Sequence, residues 1–573
     1  MSLLKKKATN SIWILLLLLS LAAAVIKCFV GFDIDEGYAV SMPYRLLQGD
    51  HLFLDMWEVH QTSSFLPALA LLLYQKITGA MNGCVLFLRI VTTVLHGMVS
   101  LLVYKVVRKN LPRHWAILLA LLYFNLLPKW LISLDFSMQQ VWGMTFVLGL
   151  LDKEIETGKN RYAFWMGIAL AASVLSYPGM VLSYPALLLS LWMLHKGDNI
   201  KTKFNKCIYV TLGCALMAIL FLLYVLSSMG VKEFLESIPM VFMDGTHQFT
   251  METKLMLYMS QWANVGKQLL ILSLPSFLAV CIVFLLRRKD YKKYPLLFLG
   301  GFVTVTSLLI LCANIVGIAM GPFHFQVRYL LIYFFLLVWS MMEMKKTGEE
   351  ETRRLFWGPM FQMFVAFVAI LIFSNVGPDS SSSYLGLGLI GGMLFLYKKA
   401  PVISSKAIGI TYWLLALFVL SLVFCKGYYV RITEYGPSNV LQERFVVSDG
   451  PLAGIYVAGE DYDRITSDYE TIRSVTEGNK TLLYLGTEGI SNLYGQGIFV
   501  SPSTISTPAF NEQWVTYFEM YPEKVPDVVV LAKNTIDDRD KFFAENPFGI
   551  WLRERYDISS MDETDSLCVI NRK

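Results

Sequence analysis

The segment that follows the first apolar run is crowded with carboxylates. Asp33, Asp35 and Glu36 come first, then Asp50, Asp55 and Glu58, and the only Lys or Arg between residues 31 and 82 are Arg45 and Lys76. Acids gathered beside an apolar body suit the binding of a hydroxylated or cationic substrate, or the removal of a proton from a hydroxyl. Aspartates also cap helices, and Asp33 or Asp35 stands where the next helix needs a cap. The Asp33-x-Asp35 spacing permits a divalent cation such as magnesium or manganese, both hard oxygen-binding ions. A bare pair does not specify such a site, so no metal and no other cofactor is assigned.

Further along, Asp135 closes the stretch Lys129-Trp-Leu-Ile-Ser-Leu-Asp135, either as another carboxylate of the site or as the N-cap of a helix starting near Ser137. Arg328, followed by Tyr329, stands at the edge of a late apolar run, where a guanidinium can clamp a phosphate bidentately or simply snorkel to the interface. His60 closes the acidic segment. His247 lies in the segment 230–266, which is long enough for a lid over an acceptor site or for an interfacial amphipathic helix.

The elements that must position these residues are set by composition. Of 573 residues, 55% are hydrophobic and 16% charged, with a mean hydropathy of +0.51, which excludes a cytosolic enzyme and makes the bilayer the main solvent. A net charge of +5 over this length leaves no nucleic-acid footprint. The eight cysteines form no CxxC pair, and no Walker or GxGxxG loop is present, so zinc, disulfide and nucleotide chemistry are unsupported.

Charge placement fixes the register. If 37–48 and 62–78 lie along the outer interface as juxtamembrane helices, loops assigned to the cytoplasm carry 26 Lys and Arg before residue 426 and outer loops carry 6. Thirteen spans follow, at about 12–31, 83–107, 115–128, 137–151, 162–177, 178–195, 207–228, 266–286, 295–318, 325–343, 358–374, 384–397 and 407–425. The N-terminus is then cytoplasmic. After residue 426 charged and turn residues return, with β-rich runs at 454–457, 481–485, 527–531 and 567–570 and a helical pattern at 461–475. This predicts a transmembrane part, 1–426, with a catalytic outer loop at 32–82, and a small extracytoplasmic α/β domain, 427–573.

The order of these features resembles the GT-C superfamily of polyprenyl-phosphate-sugar-dependent glycosyltransferases, in particular the branch of protein O-mannosyltransferases and the lipid A aminoarabinose transferase. The resemblance covers the whole membrane part: a first span, an outer loop opening on an acidic pair, two juxtamembrane helices and about a dozen further spans. It implies a polytopic GT-C-like helical membrane fold with a catalytic carboxylate in Asp35-Glu36, a second acid at Asp135, and a donor-phosphate site at Arg328-Tyr329. Asp33, Glu58, His60 and His247 become candidates for contacting substrate.

The donor implied is a sugar on polyprenyl phosphate, and the acceptor a hydroxyl of an envelope glycan, lipid or protein. Transfer by one displacement inverts the anomeric carbon. Two departures leave the substrates open: His60-Gln61-Thr62 stands where relatives often show His-Pro-Pro, and Ser176-Tyr177-Pro178-Gly179 where the aminoarabinose branch has Lys-Gly-Pro. The competing class, a transporter or flippase of lipid-linked sugars, predicts ionisable residues along a path near the midplane. Here the acids gather at one surface instead.

Overall fold

The computed structural model describes residues 3–242, 251–286, 323–374, 381–403, 407–430, 438–504, 512–536 and 538–573. Helices occupy the expected spans at α1 (Leu3–Phe29), α4 (Cys84–Val107), α5 (Arg113–Asn125), α6 (Phe136–Thr157), α7 (Asn160–Ser176), α8 (Ser183–Leu194), α9 (Ile200–Leu226), α11 (Met251–Leu286) and α12 (Phe323–Thr347). They continue through α13 (Glu350–Phe373), which holds a π turn at Phe356–Met360, α14 (Gly386–Ile403) and α15 (Ala407–Tyr428). The span expected at 295–318 lies outside the described residues, as does His247. Among the described residues five helices are long and apolar enough to cross a membrane by themselves: α1 from Ile12, α4, α9, α13 and the Thr411–Tyr428 part of α15.

The two elements expected along the interface are α2 (Ile34–Leu47) and α3 (Phe65–Thr78), the latter preceded by a 3-10 turn at Gln61–Ser64. A short helix, α10, covers Val231–Phe242. Close approach between helices depends on small residues. A Cβ on Gly167 of α7 would meet the Val210 carbonyl of α9, and one on Gly213 of α9 would meet the Phe164 carbonyl. Without a hydrophobic drive between helices in lipid, such backbone contact is what holds a bundle together.

After α15 come two short antiparallel pairs, β1 (Tyr429–Val430) with β2 (Ser438–Asn439) and β3 (Phe445–Val446) with β4 (Tyr456–Val457), and then a four-stranded sheet in which the first strand pairs with the second, the second with the fourth and the fourth with the third. Its strands are β5 (Leu482–Leu485), β6 (Val528–Ala532), β7 (Asp562–Glu563) and β8 (Leu567–Asn571). The first two pair in parallel, Leu482 opposite Val528, and β8 runs antiparallel to β6. All nine residues of β5 and β6 are buried, as their continuous apolar runs predict.

This region is not a loosely tethered module. Val447, Leu452, Ile465 and Tyr484 share a single buried core with residues of the helices such as Val85, Leu88 and Leu422. Backbone bonds join the two parts: Gly83 and Val85 at the start of α4 donate to the carbonyls of Gly450 and Pro451, and Gly31 donates to Tyr456. The first amides of a helix have no partner within it, so these carbonyls act as its cap.

Candidate active site

The site is built where α1 hands over to α2 and α5 to α6. Asp33 adopts an extended backbone before α2 and accepts from the amide of Asp35 at 2.9 Å, which makes it the helix cap. Capping leaves Asp35 on the first turn, where the helix dipole favours its negative charge. The carboxylate of Asp35 is 29% exposed, and Oδ2 lies 3.3 Å from Nζ of Lys129. Lys129 comes from the α5–α6 connection, 94 residues away.

That connection is strained. Lys129 (φ 53°) and Trp130 (φ 59°) both occupy the left-handed region without being glycine, at a cost of about 1–3 kcal/mol each. The strain is held in place because the Trp130 side chain is buried and the amides of Trp130 and Leu131 are bonded back to Leu127 and Pro128. The outcome is that the lysine ammonium lies over the Phe136 ring, 4.3 Å from its centroid, and against Asp35.

Asp135 sits beside this pair. It caps α6, accepting from the Met138 amide at 2.9 Å and from the Ser137 hydroxyl at 2.6 Å. Burial pushes its carboxyl up; the charge of Lys129 and the two hydrogen bonds pull the other way without cancelling the effect, and Asp35 adds a little to the rise. Buried Tyr384 lies within electrostatic reach of both acids. Below them the His60 ring stacks on Phe136, centroids 3.8 Å apart, with Tyr177 5.4 Å from His60. Gln139 of α6 donates to the Ser63 carbonyl at 2.9 Å, tying α6 to the turn that precedes α3.

Three expected site residues face elsewhere. Glu36 is 2% exposed and held by Arg89 of α4, whose Nε and Nη2 each lie 2.6 Å from one of its oxygens. The same guanidinium donates to the carbonyls of Cys28 and Gly31. Glu36 therefore anchors the loop to α1 and α4. Glu58, 3% exposed, accepts from the amide and hydroxyl of Thr504 and docks the loop on the C-terminal region. Asp33, 2% exposed, is taken up by its capping role. The side chains of Arg328 and Tyr329, near the start of α12, lie outside the described residues.

Lys129 and Arg89 were the residues that sequence reasoning passed over. The signal for Lys129 was present: it is one of only six basic residues assigned to the outer loops. Among the described residues no three His, Cys, Asp or Glu side chains gather to hold a metal ion. Of the Asp33-x-Asp35 pair, Asp33 is directed to its own helix and Asp35 to Lys129.

The architecture around this site has solved counterparts. ArnT from Cupriavidus metallidurans, in the apo state, superposes with a TM-score of 0.51 at 12% identity, covering 98% of each chain. ArnT bound to undecaprenyl phosphate gives 0.51 at 11% identity over 97% of each chain. The chain shares the fold of ArnT. It is thus a polytopic helical membrane protein whose entrance loop and C-terminal α/β region belong to one architecture. The oligosaccharyltransferase AglB from Archaeoglobus fulgidus, in complex with an inhibitory peptide and a dolichol-phosphate, matches 95% of this chain and 71% of its own at a TM-score of 0.47 and 12% identity. No family model and no curated protein matches the sequence.

Proposed function

We propose that the protein is a membrane glycosyltransferase that moves a sugar from a polyprenyl-phosphate donor to an acceptor hydroxyl at the outer face of the membrane. The observation that carries this reading is the convergence of Asp35, Lys129 and Asp135 from two connections at one end of a GT-C helical bundle. Asp35 is the exposed acid of the set and the one suited to act as base. It accepts the proton of the acceptor hydroxyl while that oxygen attacks the anomeric carbon. The bond from that carbon to the phosphate oxygen breaks in the same step, and its electron pair leaves with the lipid phosphate. Configuration inverts.

Asp135, buried and already committed to the α6 cap, orients the start of that helix and the lysine beside it. Arg328 and Tyr329 are assigned to the donor phosphate from their place in the sequence. The acceptor is a hydroxyl of an envelope glycan, lipid or protein, and the C-terminal region, docked on the entrance loop, takes part in its recognition. Purified protein incubated with lipid-phosphate sugars tests the reading: release of free lipid phosphate together with a glycosylated acceptor supports it, and movement of intact donor across a vesicle without cleavage contradicts it.

A further inference from the structure

The acid proposed as base is paired, before any substrate arrives, with the ammonium of Lys129. A carboxylate so held is a poor proton acceptor for a hydroxyl, because the cation stabilises its charged form and occupies the space in front of it. The contact is also loose. Its 3.3 Å separation is longer than the 2.7–2.9 Å of a tight ammonium–carboxylate bond, and the ammonium rests on the Phe136 ring from another side. Within the cluster, exposure is divided unevenly: Lys129 is 18% and Asp35 29% exposed at the side chain, whereas Asp135 is buried. A ligand reaching this end of the bundle therefore meets the lysine and Asp35 before it meets Asp135.

We propose that Lys129 is a phosphate-binding residue that exchanges partners during turnover, leaving the Asp35 carboxylate for the phosphate of the lipid-linked donor. The exchange rests on the proposed function and extends it: donor binding, and nothing earlier, releases the base. The strained backbone at Lys129 and Trp130 fits such a role, since it fixes the base of the lysine stem while the four-carbon side chain pivots between two anions. A single cation shared between a carboxylate and a phosphate also selects against neutral lipid-linked sugars. The leaving phosphate then finds a cation already in place as its charge develops, and on its departure Lys129 returns to Asp35.

The test measures binding of undecaprenyl phosphate to purified protein in detergent, with no turnover involved. Lys129→Met should weaken binding roughly ten- to hundredfold, the range of one charge-assisted hydrogen bond, and Lys129→Arg should restore most of it. Asp35→Asn should tighten binding by removing the competing carboxylate, and that gain should shrink markedly in the double variant with Lys129→Met. The inference is overturned if Lys129→Met binds like the wild type, or if Asp35→Asn has the same effect with and without the lysine. Should Lys129→Met misfold, Lys129→Arg and Asp35→Asn still keep a cation in the loop, and an Asp35→Asn protein that binds no tighter than the wild type overturns the inference by itself. The proposed function fails separately, if Asp35→Asn transfers sugar normally or if the wild type binds no undecaprenyl phosphate.

Discussion

Arg89 grips Glu36 with two nitrogens, each 2.6 Å from a carboxylate oxygen, so the third acid of the entrance loop is a tether. Both side chains are buried. Removing one partner leaves an uncompensated charge, so Glu36→Gln should destabilise the protein by about 3–5 kcal/mol. A joint replacement, Glu36→Leu with Arg89→Met, should recover part of that loss. Thermal unfolding in detergent distinguishes this from a catalytic role, which would reduce transfer without lowering the melting temperature.

Asp135 separates cap from charge. Asparagine caps a helix as well as aspartate, whereas alanine lacks the acceptor and should cost about 1 kcal/mol. Burial raises the folded pKa of Asp135 above its unfolded value, so its favourable contribution is complete below the unfolded pKa and is lost as pH rises through the folded one. Asp135→Asn should therefore gain stability relative to the wild type between about pH 4 and neutrality, and Asp135→Ala should lie below Asp135→Asn throughout. Melting curves across that pH range check both statements.

The entrance loop is clamped to the C-terminal region by a second network. Lys524 lies 2.5 Å from Asp55 and 3.0 Å from Asp50, Arg45 holds Asp50 at 2.7 Å, and Tyr517 donates to the Asp55 carbonyl at 2.9 Å. Burial alone would raise the Asp55 carboxyl, but bonding and charge from Lys524, with help from His51, hold it below the usual carboxylate range. A depressed pKa contributes stability above the unfolded value and loses it as pH falls through the folded one. Hydrogen-exchange protection of the helix Glu512–Met520 should accordingly fall in acid below about pH 4. Lys524→Met should show the same loss at neutral pH.

Sidedness has its own test. Reporter fusions after Thr78 and Asn110 should read outside and inside respectively. An outside signal at Asn110 would show that α3 crosses the bilayer and would invert every later loop.

Much of this architecture is legible in the sequence because a bilayer permits few solutions. Apolar length is enough to place the helices α4 to α9. Continuous apolar runs are enough for β5 and β6. The site is only partly legible. Asp33 and Asp135 could be read as caps, since capping is a local interaction. The partners of Glu36, Asp55 and Glu58 could not, because Arg89, Lys524 and Thr504 lie 53, 469 and 446 residues away. Nor does a lysine in a loop announce a left-handed backbone; only the packing of Trp130 and the turn around Pro128 impose it.

The central claim is that Asp35 is the base, and the most direct measurement is the rate of lipid-phosphate release by the Asp35→Asn enzyme with a lipid-phosphate sugar and its acceptor. The exchange removes the proton acceptor and keeps the shape, so the rate should fall by about 10²–10⁴-fold while the melting temperature stays near that of the wild type. Release at the wild-type rate from folded Asp35→Asn protein would contradict the account.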